Sequence, residues 1–109
     1  MKKLLILLLL IPNFLLGHQH VTAEEVISEK ATNVTYQVYA RGIVEALVHS
    51  YSAFKVINGI EVLCYEEAYS TGDFVSIIDG YYLKNKSLFS GSSYVFTADY
   101  ILRENFPCN

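Results

Sequence analysis

The stretch VTYQVYARGIVEALVHSYSAF, residues 34–54, decides the fold class. Its apolar positions Tyr36, Tyr39, Ile43, Ala46, Leu47 and Phe54, flanked by Val44, Val48 and Tyr51, recur at helical intervals. Such spacing stacks side chains along one side of an α-helix, whereas a half-buried strand needs strict alternation. Gln37, Arg41, Glu45, His49 and Ser52 fall along an opposing polar stripe, so the helix is amphipathic with a broad buried face. Gly42 in its middle costs about 1 kcal/mol relative to Ala and is read as a point where another helix comes close, the alternative being a glycine with no special role.

Toward the C-terminus, residues 55–63 carry Asn58-Gly59 between short apolar pairs. The dipeptide suits a hairpin turn, but its flanks are too short for a ribbon that would be marginal in isolation. A connecting loop is expected instead. A second long helix should start near Ser70, where Ser70 or Thr71 can cap free amides and Asp73 suits the helix dipole. Phe74, Ile77, Ile78, Tyr81 and Tyr82 mark its core face, and it should end near Lys84, with Asn85 just beyond. A third begins near Gly91-Ser92-Ser93, carries Val95, Ala98, Ile101 and Leu102 inward, pairs Asp99 with Arg103, and stops before Pro107. Residues Ala23 to Lys30 add a short first helix. No repeat or linker is visible, so the expectation is all-α: one small bundle of about four helices over residues 24–109.

Composition bounds the function. The chain of 109 residues is 52% hydrophobic and 17% charged, which suits one packed domain and argues against a disordered acidic tail. Of eight Lys and Arg, two are Lys2 and Lys3, so no basic stripe marks a nucleic-acid binder. Those lysines precede Leu4 to Leu10, Ile11 and Phe14 to Leu16, a pattern that reads as a secretory signal peptide over residues 1–17. Pro12 and Asn13 interrupt the run, which is shorter than a membrane span. Cleavage after Gly17 or as late as Ala23 is compatible with the sequence, and no membrane attachment is expected afterwards. Loss of residues 1–17 leaves six basic and eleven acidic side chains, an acidic exported protein. The Lys-Lys-Leu start looks bacterial and places the product in the periplasm. In a eukaryotic source, Asn33-Val34-Thr35 and Asn85-Lys86-Ser87 would be glycosylation acceptors.

Cys64 and Cys108 are the only cysteines, an even number in an oxidising compartment, and a disulfide is the direct reading. It would close 44 residues of chain. A catalytic thiol and a metal pair compete with that reading, without a CxxC spacing to favour either.

The order of motifs resembles a known family. Tyr39-Ala40-Arg41-Gly42-Ile43 is similar to a YxxG-hydrophobic signature on a long first helix; Leu63-Cys64 follows, then a Thr-led helix ending in Tyr82-Leu83, then Phe106-Pro107-Cys108. Over residues 36–108 this resembles the Rap/Tai family, the periplasmic immunity proteins against type VI secretion amidase effectors. Family members often carry a Cys where this chain has Tyr36, and a Pro where it has Glu66. The resemblance implies a small helical fold, a secreted peptidoglycan amidase as partner, inhibition by occlusion, and a homodimer, with Tyr39, Gly42, Phe106 and Pro107 as motif residues.

Candidate chemistry is sparse. Arg41, Glu45 and His49 stack on one helix face, which salt-bridge decoration explains better than a Glu-His catalytic pair. A mature start at His18-Gln19-His20 would offer nitrogen ligands to copper(II), against the plainer reading of a tail. Tyr36, Tyr39, Tyr81 and Tyr82 lie on apolar faces and read as core. Tyr65 and Tyr69 flank Glu66-Glu67 outside any clear helical pattern; with Asp73 they form the candidate partner-binding edge, against the plainer reading of structural filler. The protein is accordingly expected to be no enzyme, with no cofactor and no metal. The alternative to an immunity protein is a small periplasmic acid-stress or folding chaperone of the Hde type.

Overall fold

The computed structural model describes residues 21–108. The 1–17 leader, the Gly17 cleavage point and the His18-Gln19-His20 reading lie outside the described residues. Four α-helices follow in order: α1, Ala23–Glu29; α2, Val34–Asn58; α3, Thr71–Lys84; and α4, Tyr94–Asn105, with a 3-10 turn at Lys86–Phe89 before α4. This is the expected small all-α bundle. A Cys64–Cys108 disulfide closes it, with the two Cα atoms 5.1 Å apart.

Local chemistry explains the helix boundaries. Thr22 caps α1 by accepting the Glu25 amide at 3.1 Å, and Asn33 caps α2 by accepting that of Thr35 at 3.0 Å. Ser70 and Asp73 form a reciprocal capping box on α3: the Asp73 amide donates to Ser70 Oγ at 3.2 Å, and the Ser70 amide to Asp73 Oδ2 at 2.8 Å. Ser93 opens α4 by accepting from Phe96 at 3.2 Å.

The start of α1 is tied to the start of α4. The Tyr94 amide donates to Val21 O at 2.8 Å, and the Ala23 amide to Ser92 O at 3.0 Å. Ala23 is fully buried. Val21 to Ala23 are thus part of the packed unit.

Four expectations for α2 and α4 need correction. Helix α2 continues past Phe54 to Asn58, and Asn58-Gly59 is its terminus, not a loop or hairpin. Gly59 sits at φ 71°, and its amide bonds to Lys55 O at 2.7 Å. A left-handed glycine serves a hairpin and a helix C-terminus equally, so the dipeptide alone could not separate them. The buried arc of α2 is centred on Ala40 and Val44, with Tyr36, Tyr39, Ile43, Leu47, Val48 and Tyr51 on its margins. Ala46 and Phe54 are exposed. The last turns of α2 are left uncovered, residues 52–61 being all exposed. No atom outside the local helix lies within 4 Å of where a Gly42 Cβ would be, so none of the described helices approaches it. In α4 the inward set is Tyr94, Thr97, Ala98, Ile101 and Leu102, all fully buried, while Val95 is turned out. The spacing is helical in both readings; a polar Thr97 on the core face disguised its phase.

Helix α4 touches α1, α2 and α3 and supplies the middle of the core, joined there by Val26, Phe74, Ile78, Tyr82 and Phe89. Two polar ties brace the bundle. Tyr51 of α2 donates a hydrogen bond to Asp99 of α4, which also pairs with Arg103 at 3.1 Å. Lys30, at the end of α1, pairs with Asp79 of α3.

Burial, followed by the bond to Asp99, pushes the Tyr51 hydroxyl up to about 12. The folded chain thus holds this proton more tightly than the unfolded one. Its contribution to stability is complete below the unfolded tyrosine value and is lost as pH rises from about 10 to about 12. Tyr51→Phe should flatten the fall in melting temperature across that alkaline window, as read by circular dichroism; a slope identical to wild type would remove Tyr51 as its source.

Candidate functional site

The chain between α2 and α3 is pinned from both sides. Cys64 is bonded to Cys108, and its amide donates to Phe106 O at 2.9 Å, so the segment after α2 is stapled to the segment after α4. Phe106 follows the last residue of α4 and turns into the core, 7% exposed, while Pro107 beyond it is on the surface. Phe74, in the first turn of α3, is buried beside it with ring centroids 5.3 Å apart.

Onto this buried pair the segment lays two tyrosines. Tyr69 stacks on Phe74 at 5.5 Å with planes 22° apart and meets Phe106 edge-on at 5.1 Å. Tyr65 meets Phe74 edge-on at 5.1 Å and Phe106 at 6.3 Å. Tyr65 and Tyr69 each remain 38% exposed. They are core on one side and surface on the other, a combination suited to aromatic contact with a partner.

Glu66 and Glu67, between these rings, are exposed and form no ion pair among the described residues. Asp73 is different from its sequence reading. Its carboxylate is engaged in the α3 capping box, and those bonds, first from the Ser70 backbone and then from its side chain, hold its pKa below the usual carboxylate value. Its first duty is to the helix start, and it lines a separate hollow with Lys30 and Arg41, so the structure does not bring it together with Tyr65 and Tyr69 in one groove.

Sequence reasoning missed the other wall. Glu45 and His49, read as decoration of a solvated stripe, face the tyrosine segment across a groove of about 400 Å³, whose floor is Val44, Val48 and Phe74. Thr71 donates to Glu45 Oε1 at 3.2 Å, which fixes that carboxylate at the rim. Arg41, the third member of the stripe, lies instead against Gly72, where its guanidinium is 3.5 Å from the Cβ position. The i,i+4 register of Glu45 and His49 was the available signal; that residues 65–71 come back to meet it was not readable from spacing.

Of the motif residues, Tyr39 is half-buried with its ring 6.0 Å from that of Tyr94, Gly42 is open to solvent, Phe106 anchors the ring cluster and Pro107 is exposed. The disulfide decides the fate of the thiols. Glu61 Oε2 lies 3.2 Å from Cys64 Sγ, and Glu61, Cys64 and Cys108 form a compact group, but bridged sulfurs supply neither a thiolate ligand nor a nucleophile. None of the described helices is long and apolar enough to cross a membrane. No family model, curated protein or solved structure matches this chain.

Proposed function

We propose that this protein acts by contact, as an exported immunity protein that binds a secreted peptidoglycan amidase and blocks it in the periplasm. One observation carries the reading. A pair of half-exposed tyrosines, backed by buried Phe74 and Phe106 and stapled by the disulfide, presents a rigid aromatic edge flanked by two free carboxylates. Rigid aromatic area is available for binding with little ordering cost, and the acids at 66 and 67 favour encounter with a basic surface. A hydrolase acting on anionic peptidoglycan would offer such a surface. Both cysteines are committed to the bridge, and inhibition by occlusion, which needs no thiol chemistry, is the mode of action in this reading.

The test is co-expression of the neighbouring amidase in the periplasm with and without this protein. Protection from lysis and a complex on size exclusion support the reading. Continued lysis with no complex refutes it and favours the acid-stress chaperone. For the chaperone, the charge chemistry inside the bundle is unfavourable. Burial raises the Asp79 carboxyl against the opposing pull of Lys30. The contribution of Asp79 to stability is therefore complete below the unfolded carboxylate value and declines as pH rises. Acid does not release α1 by that route. Asp73 has the opposite sign, its contribution being lost as pH falls through its depressed value.

The homodimer also belongs to this proposal, and the outer face of α2 suits it. Val38, Val56 and Ile57 are exposed toward the two ends of the helix, and Gly42, Ala46, Ser50 and Ala53 are exposed between them. Two copies of α2 crossing antiparallel would set Val38 of one copy near Ile57 of the other, with the small residues allowing close approach at the centre. Val38→Glu with Ile57→Glu is expected to convert a dimer into a monomer by light scattering without lowering the melting temperature of the fold at low concentration. A monomeric parent at high micromolar concentration would refute the dimer.

A further inference from the structure

We infer that the groove between α2 and residues 65–71 receives a single arginine side chain of the partner protein, a proposal that rests on the contact reading above and specifies its chemistry. Three features of the groove lead to arginine. The first is charge. Glu45 stands on one wall and Glu67 on the other, and neither Lys nor Arg lines the space. The Glu45 carboxylate is held by Thr71 through Oε1, which leaves Oε2 oriented by a fixed neighbour and available to a donor. Two carboxylates on facing walls suit a group with several divergent N–H donors, which guanidinium has and ammonium offers less well.

The second feature is the pair of rings. Tyr65 and Tyr69 line the same groove, and their contacts with Phe74 and Phe106 hold them in place before any ligand arrives. A planar cation stacks on tyrosine and is attracted by the ring quadrupole. The third is the floor. Val44 and Val48 of α2, with Phe74, give the three methylenes of an arginine an apolar bed, so stem and head are both accommodated. The groove, at about 400 Å³, has room for one such side chain and its flanking backbone. Charge complementarity thus selects a cationic loop of a protein, and the acidic balance of the domain draws it in from a distance.

The experiment is an NMR titration of the purified, oxidised protein, following backbone amides. The probes are acetyl-Gly-Arg-Gly-amide, its citrulline counterpart, which is isosteric and neutral, and its lysine counterpart. Saturable shifts confined to residues 44–52 and 65–74 with the arginine peptide, weaker with lysine and absent with citrulline, are expected. Glu45→Gln combined with Glu67→Gln should weaken arginine binding about tenfold, two exposed charge pairs together being worth about that much. Both side chains are exposed, so an unchanged spectrum away from the groove verifies the fold of the double variant. Equal shifts with citrulline, shifts centred elsewhere, no shifts at tens of millimolar peptide, or full binding by the double variant would each overturn the proposal. Free arginine binding as well as the peptide would show that the groove reads the side chain and not the loop, and would overturn the assignment to a protein. The two readings fail separately: a protective complex with no peptide binding removes the groove and keeps the immunity role, and peptide binding without protection does the reverse.

Discussion

Phe106→Ala is expected to lower folding stability by about 3–5 kcal/mol, measured as a drop in urea midpoint with an unchanged slope. The ring is 7% exposed and touches Phe74, Tyr65 and Tyr69 at centroid distances of 5.3, 6.3 and 5.1 Å. Its removal leaves a cavity that these rings cannot fill, because Phe74 is fixed in the first turn of a capped helix and the tyrosines are fixed by a stapled segment. The loss combines transfer free energy with the aromatic contacts. A functional consequence follows from the same geometry. Tyr65 and Tyr69 lose their backing, so partner affinity should fall even in conditions where the variant is folded. Phe106→Leu, which keeps most of the volume, should recover most of the stability and only part of the affinity. A stability loss under about 1 kcal/mol for the alanine variant would mean that the cluster closes over the gap.

Breaking the disulfide is the second large effect. Cys64→Ser or Cys108→Ser should cost about 2–5 kcal/mol, and the chain-entropy account for the loop of 44 residues gives about 4 kcal/mol. The bridge joins the segment that carries Tyr65 and Tyr69 to the residues that carry Phe106, so cutting it frees both sides of the ring cluster. Melting curves of the wild type with and without reductant, beside those of each variant, check it. The reduced wild type and both variants should melt together, well below the oxidised protein; coincidence of all four curves would refute the staple. The Phe106 and Cys64 effects should not add. The Cys64 amide bonds to Phe106 O at 2.9 Å, and residues that share a contact network couple. The double variant should therefore lose less than the sum of the single losses.

The sequence by itself determined the fold class, the order of the helices and the pairing of the cysteines. The helices rest on local rules: three-and-four spacing in residues 34–54, Ser70 with Asp73 at the start of α3, Ser93 before α4 and Pro107 after it. The pairing of the cysteines rests on their number, since two cysteines have only each other to bond. Local rules are legible because each involves residues within one or two turns, where backbone geometry leaves few choices. The length of α2 was less legible, since Asn58-Gly59 meets the demand of two different turns with the same positive φ.

The core face read for α3, Phe74, Ile77, Ile78, Tyr81 and Tyr82, is the one that packs inward. Only the tertiary structure decided the phase of α2 and α4, and so where the candidate site lies. Val95 and Ala46 look as apolar in sequence as Ala98 and Val44, yet the first two are exposed and the last two fully buried. Phase is set by what packs against a helix, and its neighbours come from elsewhere in the chain. The site has the same dependence. Tyr65, Glu67 and Tyr69 become one wall of a groove because the Cys64–Cys108 bridge and Phe106 pull their segment against α3, and Glu45 becomes the other wall because Thr71 reaches it across 26 residues of chain. A contact at that sequence distance leaves no periodic trace. It exists because burying Phe74 and Phe106 together is favourable, and the polar residues around them are carried into place by that burial.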